Sequence, residues 1–421
     1  MTDILDELQW RGLVAQTTDE SALREALAGG PITAYCGFDP TAPSLHFGNL
    51  VQLVVLRRLQ RAGHRVICLV GGSTGLIGDP RPSAERVLKT KQQTAEWVAN
   101  IQRQVRPFLD AEGENPAVFV NNLDWTEGLS ALDFLRDVGK HFRVNQLVKK
   151  EAIAARLASE EGISYTEFSY QLLQGLDFLE LYRQYGCTLQ TGGNDQWGNL
   201  VAGSDLIHKV EGRSVHLLTT PLLTDSSGEK FGKSAGNAIW LDPSMTSPYA
   251  FYQYWLNIED ASVVTLLKVF SERGAEEVAE LEKAVDEEPW RRAAQRALAE
   301  DVTTLVHGAA ATESVRAASE ALFGKGDLRS LDGPTLRDAA AELPSGHVEV
   351  GMPLVDALVA VGLADSRNAA RRTLGEGGAS VNGEKVTDPE RVVAAADVLA
   401  GGVVVLRRGR KNLAAGLVAA G

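Results

Sequence analysis

ITAYCGFDPTAPSLHFGN, residues 32–49, carries the reading of the fold. A short apolar run over 32–38 is broken by Asp39-Pro40 and followed by a polar, proline-containing loop. Directly after it, Leu50, Leu53, Val54, Leu56 and Leu59 recur at helical spacing, opposed by Arg57, Arg58 and Arg61, with Gly63 as a stop. Residues 66–70 (VICLV) are a second apolar run that enters the glycine-rich loop GGSTGLIGD. Strand, helix and strand within about 40 residues make one βαβ unit, the minimal nucleotide-binding element.

The alternation continues to about residue 225 and predicts an α/β domain with a parallel sheet over 1–225. Residues 125–186 read as mainly helical, an insertion between two halves of the sheet, and residues 189–193 return to it before GGNDQWGN. Residues 226–246 form a connection. From Ser247-Pro248, a capped helix start, helices predict an α-helical domain over 247–323. Gly, Pro and Ser at short intervals over 324–350 read as a linker. Residues 351–421 read as a small α+β module, with helices over 353–361 and after Ser366, strands at 379–381 and 403–406, and a hairpin turn at Asn382-Gly383.

The 421 residues carry a formal net charge of −13, which argues against a histone-like DNA binder or a polybasic membrane-surface protein. Residues 351–421 nevertheless hold nine basic against seven acidic side chains. Arg367, Arg371 and Arg372 share a helix face, and Arg407, Arg408, Arg410 and Lys411 follow the last apolar run. With Lys149 and Lys150 in the insertion they are the candidate RNA-binding positions; a solvated charged face is the alternative. Three widely spaced cysteines and seven histidines without ligand spacing predict neither a disulfide framework nor a metal site. The acidic N-terminus lacks signal-peptide character and no apolar run is long enough to span a bilayer, so a cytoplasmic protein without a membrane partner is expected.

Two elements point to phosphate chemistry. His46 and Asn49 flank Gly48 where a helix opens, and helix N-termini present unpaired N–H groups to anions. His46 as a simple helix cap is the bland alternative. Lys230-Phe231-Gly232-Lys233-Ser234 is a cationic, glycine-bearing loop able to fold over a polyphosphate. A P-loop NTPase would need glycine at 227, where Ser227 stands, and is the runner-up. Tyr170, Gln174 and Asp177 fall on one helical face, where core packing and solvation compete with ligand binding.

Taken together, YCGFDPTAPSLHFGN, GGSTGLIGDP, NNLDW, YQLLQGLDFL, LQTGGNDQWGN and KFGKS, in this order, resemble the class I aminoacyl-tRNA synthetases, and among them the bacterial tyrosyl-tRNA synthetase family, over essentially the whole chain. The resemblance implies a Rossmann-like catalytic domain with a helical insertion, a helical anticodon-side domain and a C-terminal RNA-binding domain. It implies L-tyrosine, ATP with Mg2+ and tRNA(Tyr) as substrates, no tightly bound metal or organic cofactor, no DNA partner, and a homodimer joined around residues 125–165. Tyr35 and Asp177 would hold the phenol hydroxyl. Asp79, Tyr170 and Gln174 would bind the ammonium, with Gln196 near the amino acid and Asn122 in support. Gly37, Asp39, Gly48, Gly193 and Asp195 would line the nucleotide side. Thr41, His46 and Asn49 would meet the phosphates, and Lys230, Phe231, Gly232, Lys233 and Ser234 would close over the pyrophosphate. The tryptophanyl enzyme and an RNA-binding protein with a degenerate synthetase domain are the remaining alternatives.

Three positions depart from the pattern. Asn49 stands where many class I members have histidine, and Phe231-Gly232 replaces Met-Ser. The segment after Asp79-Pro80 reads RPSAER without the lysine of many relatives, leaving Arg81 and Arg86 as substitutes.

Overall fold

A computed structural model describes residues 3–81, 84–224, 231, 238–323, 326–410 and 412–419. Strands β1 (Gln16–Thr17), β2 (Thr33–Phe38), β3 (Arg65–Val70), β4 (Val118–Asn121), β5 (Cys187–Gly193) and β6 (His216–Thr220) form one sheet in the order β1-β6-β5-β2-β3-β4. β2 to β6 run parallel and β1 pairs antiparallel with β6. The helix Phe47–Arg61 crosses from β2 to β3 and buries Leu50, Leu53, Val54, Leu56 and Leu59, as its spacing requires. Gly63, at φ 95°, turns the chain into β3 in a region that L side chains avoid. From β2 the chain moves to β3 on one side, while β5 pairs with β2 on the other. Their carboxyl ends therefore flank a topological switch point, where open parallel sheets bind ligands.

Short helices fill the insertion between β4 and β5, and the helix Tyr170–Tyr185 brings Leu176, Phe178 and Leu181 into the core with Tyr35 and Ile67. A buried ion pair, Arg156 to Glu167 at 2.9 Å, ties two of the inserted helices together.

The chain divides into two units, Met1–Met245 with Asp260–Lys283, and Thr246–Glu259 with Ala284–Gly421. This corrects the expected helical domain over 247–323. The helix Asp260–Phe270 belongs with the sheet, because buried Arg11 and Arg58 donate to the Ser271 carbonyl at 2.9 and 2.8 Å. Periodicity identifies an amphipathic helix without saying which core receives its apolar face.

In the second unit, β7 (Ser345–His347), β8 (Ala379–Val381), β9 (Glu384–Val386), β10 (Val403–Arg408) and β11 (Asn412–Leu417) form a sheet in the order β7-β11-β10-β8-β9. Asn382 and Gly383, both at positive φ, make the turn from β8 to β9. Within the linker expected over 324–350, the described residues 326–350 are instead ordered structure: Asp332 caps the helix Gly333–Ala341 by accepting from the Thr335 amide at 2.8 Å, and β7 then joins the C-terminal sheet beside β11. Leu328, Leu331, Leu336 and Val348 are buried. Gly333-Pro334, read as chain breakers, are helix-start residues.

Candidate active site

A cavity of about 410 Å³ opens at the carboxyl ends of β2 and β5. Its lining brings together Tyr35, Gly37, Asp39, Thr41, His46, Gly48, Asn49, Asp79, Tyr170, Gln174, Asp177, Gly193, Asp195, Gln196 and Phe231, drawn from positions nearly 200 residues apart. Lys230, Gly232, Lys233 and Ser234 lie outside the described residues. Leu223 and Ala238, which bracket them in sequence, and Phe231, which falls among them, line the same cavity.

At one end stands the start of the helix Phe47–Arg61. His46 Nδ1 accepts from the Gly48 amide at 3.1 Å, and Asn49 Oδ1 accepts from the His46 amide at 3.1 Å, a reciprocal capping box. Capping and phosphate contact are compatible here, because the box presents the helix N-terminus to the cavity. Residues 239–241 run back along this loop, with Phe47 donating to the Ile239 carbonyl at 3.1 Å and Leu241 to the Leu45 carbonyl at 2.9 Å. Phe231 packs edge-on against Phe47, ring centres 5.7 Å apart.

Two enclosed carboxylates mark the other end. Asp39 accepts from Thr74 Oγ1 and Tyr170 Oη, both at 2.6 Å. Burial pushes its carboxyl above the usual range, against the opposing pull of those two bonds. A methyl group on Gly71 would fall 2.0 Å from Asp39 Oδ1, so glycine is needed there. Asp177 accepts from Asn122 Nδ2 and Trp125 Nε1, both at 3.0 Å; burial nevertheless pushes its carboxyl up to about 7. Asn122, fully buried, also accepts from the Ser73 amide at 2.7 Å and donates to Thr74 Oγ1 at 3.0 Å.

Tyr35 is buried on β2 with its ring centre 5.2 Å from that of Phe178. Burial, then the Asp177 charge, holds its phenol well above the ordinary value. Among the described residues Tyr35 Oη, Gln174 Oε1 and Gln190 Oε1 are buried without a hydrogen-bond partner, and all three residues line this cavity. Gln190 faces Tyr35 across the β2–β5 ladder. Enclosed polar atoms left unpaired beside an apolar wall are the arrangement of a pocket for a ring that carries a polar group.

Asp79 accepts from Lys150 Nζ at 2.7 Å through one oxygen and from Gln196 Nε2 at 3.2 Å through the other. Lys150, expected at an RNA-binding surface, therefore points into the site, while Lys149 is exposed. The Lys-Lys pair is visible in sequence, but the turn entering the helix Glu151–Leu157 sends the two side chains apart. Of the two arginines offered in place of the family lysine, Arg86 lines the cavity; its Nε donates to the Asp79 carbonyl at 2.9 Å, and its amide to Glu167 Oε1 at 2.7 Å.

In the C-terminal module Arg367, Arg371, Arg372 and Arg410 are exposed. Arg367 pairs with Asp356 at 2.7 Å and Arg371 with Glu390 at 3.1 Å. Arg407 and Arg408 correct the expectation of a free basic strand end: both are half-buried and donate to the carbonyls of Leu322 and Leu363. Alternation along β10 sends these neighbouring side chains to opposite faces, and packing brings a backbone carbonyl to each, which counting charges cannot foresee. Lys411 lies outside the described residues.

Trp125, Thr74, Gln190 and Asn199 are site residues that sequence reasoning passed over. Trp125 stands in NNLDW, three positions after Asn122, and that spacing within a helical turn was the available signal. Gln190 could have been found as the position on β5 that shares the inward alternation of the cavity wall.

The family profile for class I tRNA synthetases (W and Y) matches residues 27–324, and that for the tyrosine–tRNA ligase SYY-like C-terminal domain matches residues 335–415. A protein named tyrosine–tRNA ligase from Streptomyces coelicolor is 62% identical over 416 residues, 99% of each chain. One of the same name from Leifsonia xyli is 62% identical over 98% of this chain and 93% of its own. Among solved structures, a C-terminally truncated mitochondrial tyrosyl-tRNA synthetase from Coccidioides posadasii superposes with a TM-score of 0.67 at 31% identity, covering 75% of this chain and 91% of its own. A tryptophanyl-tRNA synthetase from Encephalitozoon cuniculi, at 13% identity and a TM-score of 0.53, shares the fold alone. With both profiles and full-length relatives in agreement, the chain belongs to the tyrosine–tRNA ligases, class I aminoacyl-tRNA synthetases.

Proposed function

We propose that this cavity binds L-tyrosine with its phenol hydroxyl between Tyr35 and Asp177 and its ammonium at Asp79 and Gln174, with Tyr170 and Gln196 beside it. ATP, entering with Mg2+, places its phosphates at Thr41, His46, Gly48 and Asn49, with its nucleoside toward Gly37, Asp39, Gly193 and Asp195. The observation that carries this reading is the pair of features sharing one cavity: the unpartnered, buried Tyr35 Oη beside Asp177, and the capped helix start at His46.

The chemistry requires little covalent help from the protein. The tyrosine carboxylate attacks the α-phosphorus in line; the bond to the β-phosphate oxygen breaks, giving tyrosyl-adenylate and pyrophosphate. A ribose hydroxyl at the 3′ end of tRNA(Tyr) then takes the tyrosyl group and releases AMP. Catalysis is positioning together with donors aimed at developing phosphate charge, supplied by His46, Asn49, Lys230, Lys233 and Ser234, with Arg86 as a further cation. Selectivity follows from burial: phenylalanine would leave Tyr35 Oη and Asp177 without the hydroxyl they are placed to pair with. Arg367, Arg371, Arg372, Arg410 and Lys411, with Lys149, form the proposed tRNA contacts.

The exposed apolar side chains Leu132, Leu135, Val144, Leu157 and Tyr165 support a homodimer through the insertion. Sedimentation equilibrium at micromolar concentration is expected to return twice the 45.3 kDa chain mass; the single-chain mass would contradict it. The cytoplasm is the proposed location, where translation consumes the product.

Tyrosine-dependent exchange of pyrophosphate into ATP tests the activity. ATP hydrolysis without exchange would favour a P-loop-like NTPase, and tRNA binding with neither would favour a degenerate synthetase. Lys233→Ala is expected to slow adenylate formation far more than it weakens tyrosine binding.

A further inference from the structure

Asp79 is not waiting with a bare charge. The Lys150 ammonium sits 2.7 Å from Asp79 Oδ1 and 3.0 Å from Asn199 Oδ1. Asn199 is fully buried and donates through Nδ2 to Gln196 Oε1 at 2.8 Å, and Gln196 closes the ring on Asp79 Oδ2. The Lys150 side chain is only 14% exposed. This is a built socket for a primary ammonium, the same chemical group as the α-ammonium of an amino acid, with the same three donors.

We infer that Lys150 is an internal competitor for the ammonium subsite, occupying Asp79 until the substrate displaces it. The inference rests on the reading of Asp79 as the ammonium site. Two like charges within a few ångströms of one carboxylate repel, and each ammonium needs acceptors the other is using. Substrate entry therefore requires Lys150 to swing out. The backbone permits this without remodelling: Lys150 is the non-helical residue at φ −60° and ψ 131° that precedes the helix Glu151–Leu157, and its four-carbon stem swings by changes of side-chain rotamer alone.

The consequence is selectivity by displacement. Asp79 keeps an ion-pair partner while the site is empty, so no partly buried carboxylate is left uncompensated. Only a ligand bringing its own cation regains that pairing. Apparent affinity for such ligands is lowered by the fraction of molecules in which Lys150 holds the site. Lys150 is thus a specificity-setting residue acting by competition rather than by contact with the substrate.

The test is equilibrium binding to the full-length protein of a matched series: L-tyrosine, tyramine (no carboxylate) and 4-ethylphenol (no ammonium). If the Lys150 pair is formed about 80–95% of the time, Lys150→Met tightens tyrosine and tyramine by about 5- to 20-fold and leaves 4-ethylphenol unchanged. Lys150→Gln, the second neutral replacement, moves in the same direction, and Lys150→Arg, which keeps a cation, does not. Unchanged or weaker tyramine binding in both neutral variants overturns the proposal. So does weaker tyrosine binding, which would make Lys150 a partner of the substrate carboxylate. Asp79→Asn separates the two readings: it weakens both tyrosine and tyramine if Asp79 is the ammonium site, and if it weakens neither, that assignment itself fails.

Discussion

Tyr170 and Asp39, 131 positions apart in sequence, are joined by a 2.6 Å hydrogen bond from the phenol to the carboxylate. The bond ties the insertion helix that carries the proposed amino-acid-binding face to the loop that follows β2. Asp39 is thereby held from one side by Thr74 and from the other by Tyr170.

Tyr170→Phe keeps the ring and removes this bond. A hydrogen bond to a charged group is worth about 1.5–3 kcal/mol, so unfolding free energy is expected to drop by about that amount. The tyrosine kcat/KM in pyrophosphate exchange should fall by roughly tenfold or more, since one bond of this size converts to at least that factor. Urea denaturation and exchange kinetics on the same preparation check both; an unchanged kcat/KM would detach this bond from the site.

Asp177 makes a pH prediction for the ligand-free protein. Its carboxyl is raised to about 7 by burial, above the ordinary carboxylate value. Between the two values the folded chain holds a proton that the unfolded chain has released. Its stabilising contribution is therefore complete below the ordinary value and is lost as pH rises through about 7. The slope reaches about 1.4 kcal/mol per pH unit inside that window. Asp177→Asn lacks it. The difference in unfolding free energy between wild type and variant should thus shrink from pH 4.5 to 7.5, measured by urea denaturation at each pH; a flat difference would refute the raised value.

Asn122→Ala removes the acceptor of the Ser73 amide and a donor to Asp177 in one step. Buried groups left unpaired cost about 1–3 kcal/mol each, so a loss of about 2–6 kcal/mol is expected. Trp125→Phe removes only the second donor to Asp177 and is expected to be milder. Its signature is a raised KM for tyrosine with the KM for ATP unchanged; equal changes in both would place Trp125 outside the proposed phenol pocket.

Arg156 and Glu167 are a buried pair whose value lies in being complete. Arg156→Met leaves Glu167 uncompensated and should cost about 3–5 kcal/mol. The double variant Arg156→Met with Glu167→Leu should recover much of it. Because Glu167 also accepts from the Arg86 amide, the double variant should regain stability without regaining exchange activity. Recovery of both would show that the pair does not position the Arg86 segment.

The C-terminal arginines separate by what they touch. Arg410→Ala is expected to reduce the salt slope of tRNA(Tyr) binding by about 1 with unchanged stability, as for loss of one phosphate contact. Arg408→Ala loses the bond to the Leu363 carbonyl and should lower stability first. Filter binding across a salt series, with thermal unfolding, distinguishes them.

Local sequence determined the elements that make their own case within a few residues. The 32–70 stretch announces strand, helix and strand because its apolar residues repeat with each element's own period, and the structure places those elements within a residue or a few of the reading. Tyr170, Gln174 and Asp177 were legible as one helical face for the same reason. Ser247, Ser366 and Asn382-Gly383 announce caps and a turn through backbone chemistry that requires no distant partner. Tertiary structure alone decided what each polar group is bonded to. It set Tyr170 against Asp39, drew Lys150 away from its neighbour Lys149 and onto Asp79, turned Arg407 and Arg408 to backbone carbonyls, and assigned the helix Asp260–Phe270 to the sheet rather than to the helices around it. Hydrophobic period is a property of the chain, whereas the partner of a charge is a property of space, set by which distant segment packing brings within about 3 Å.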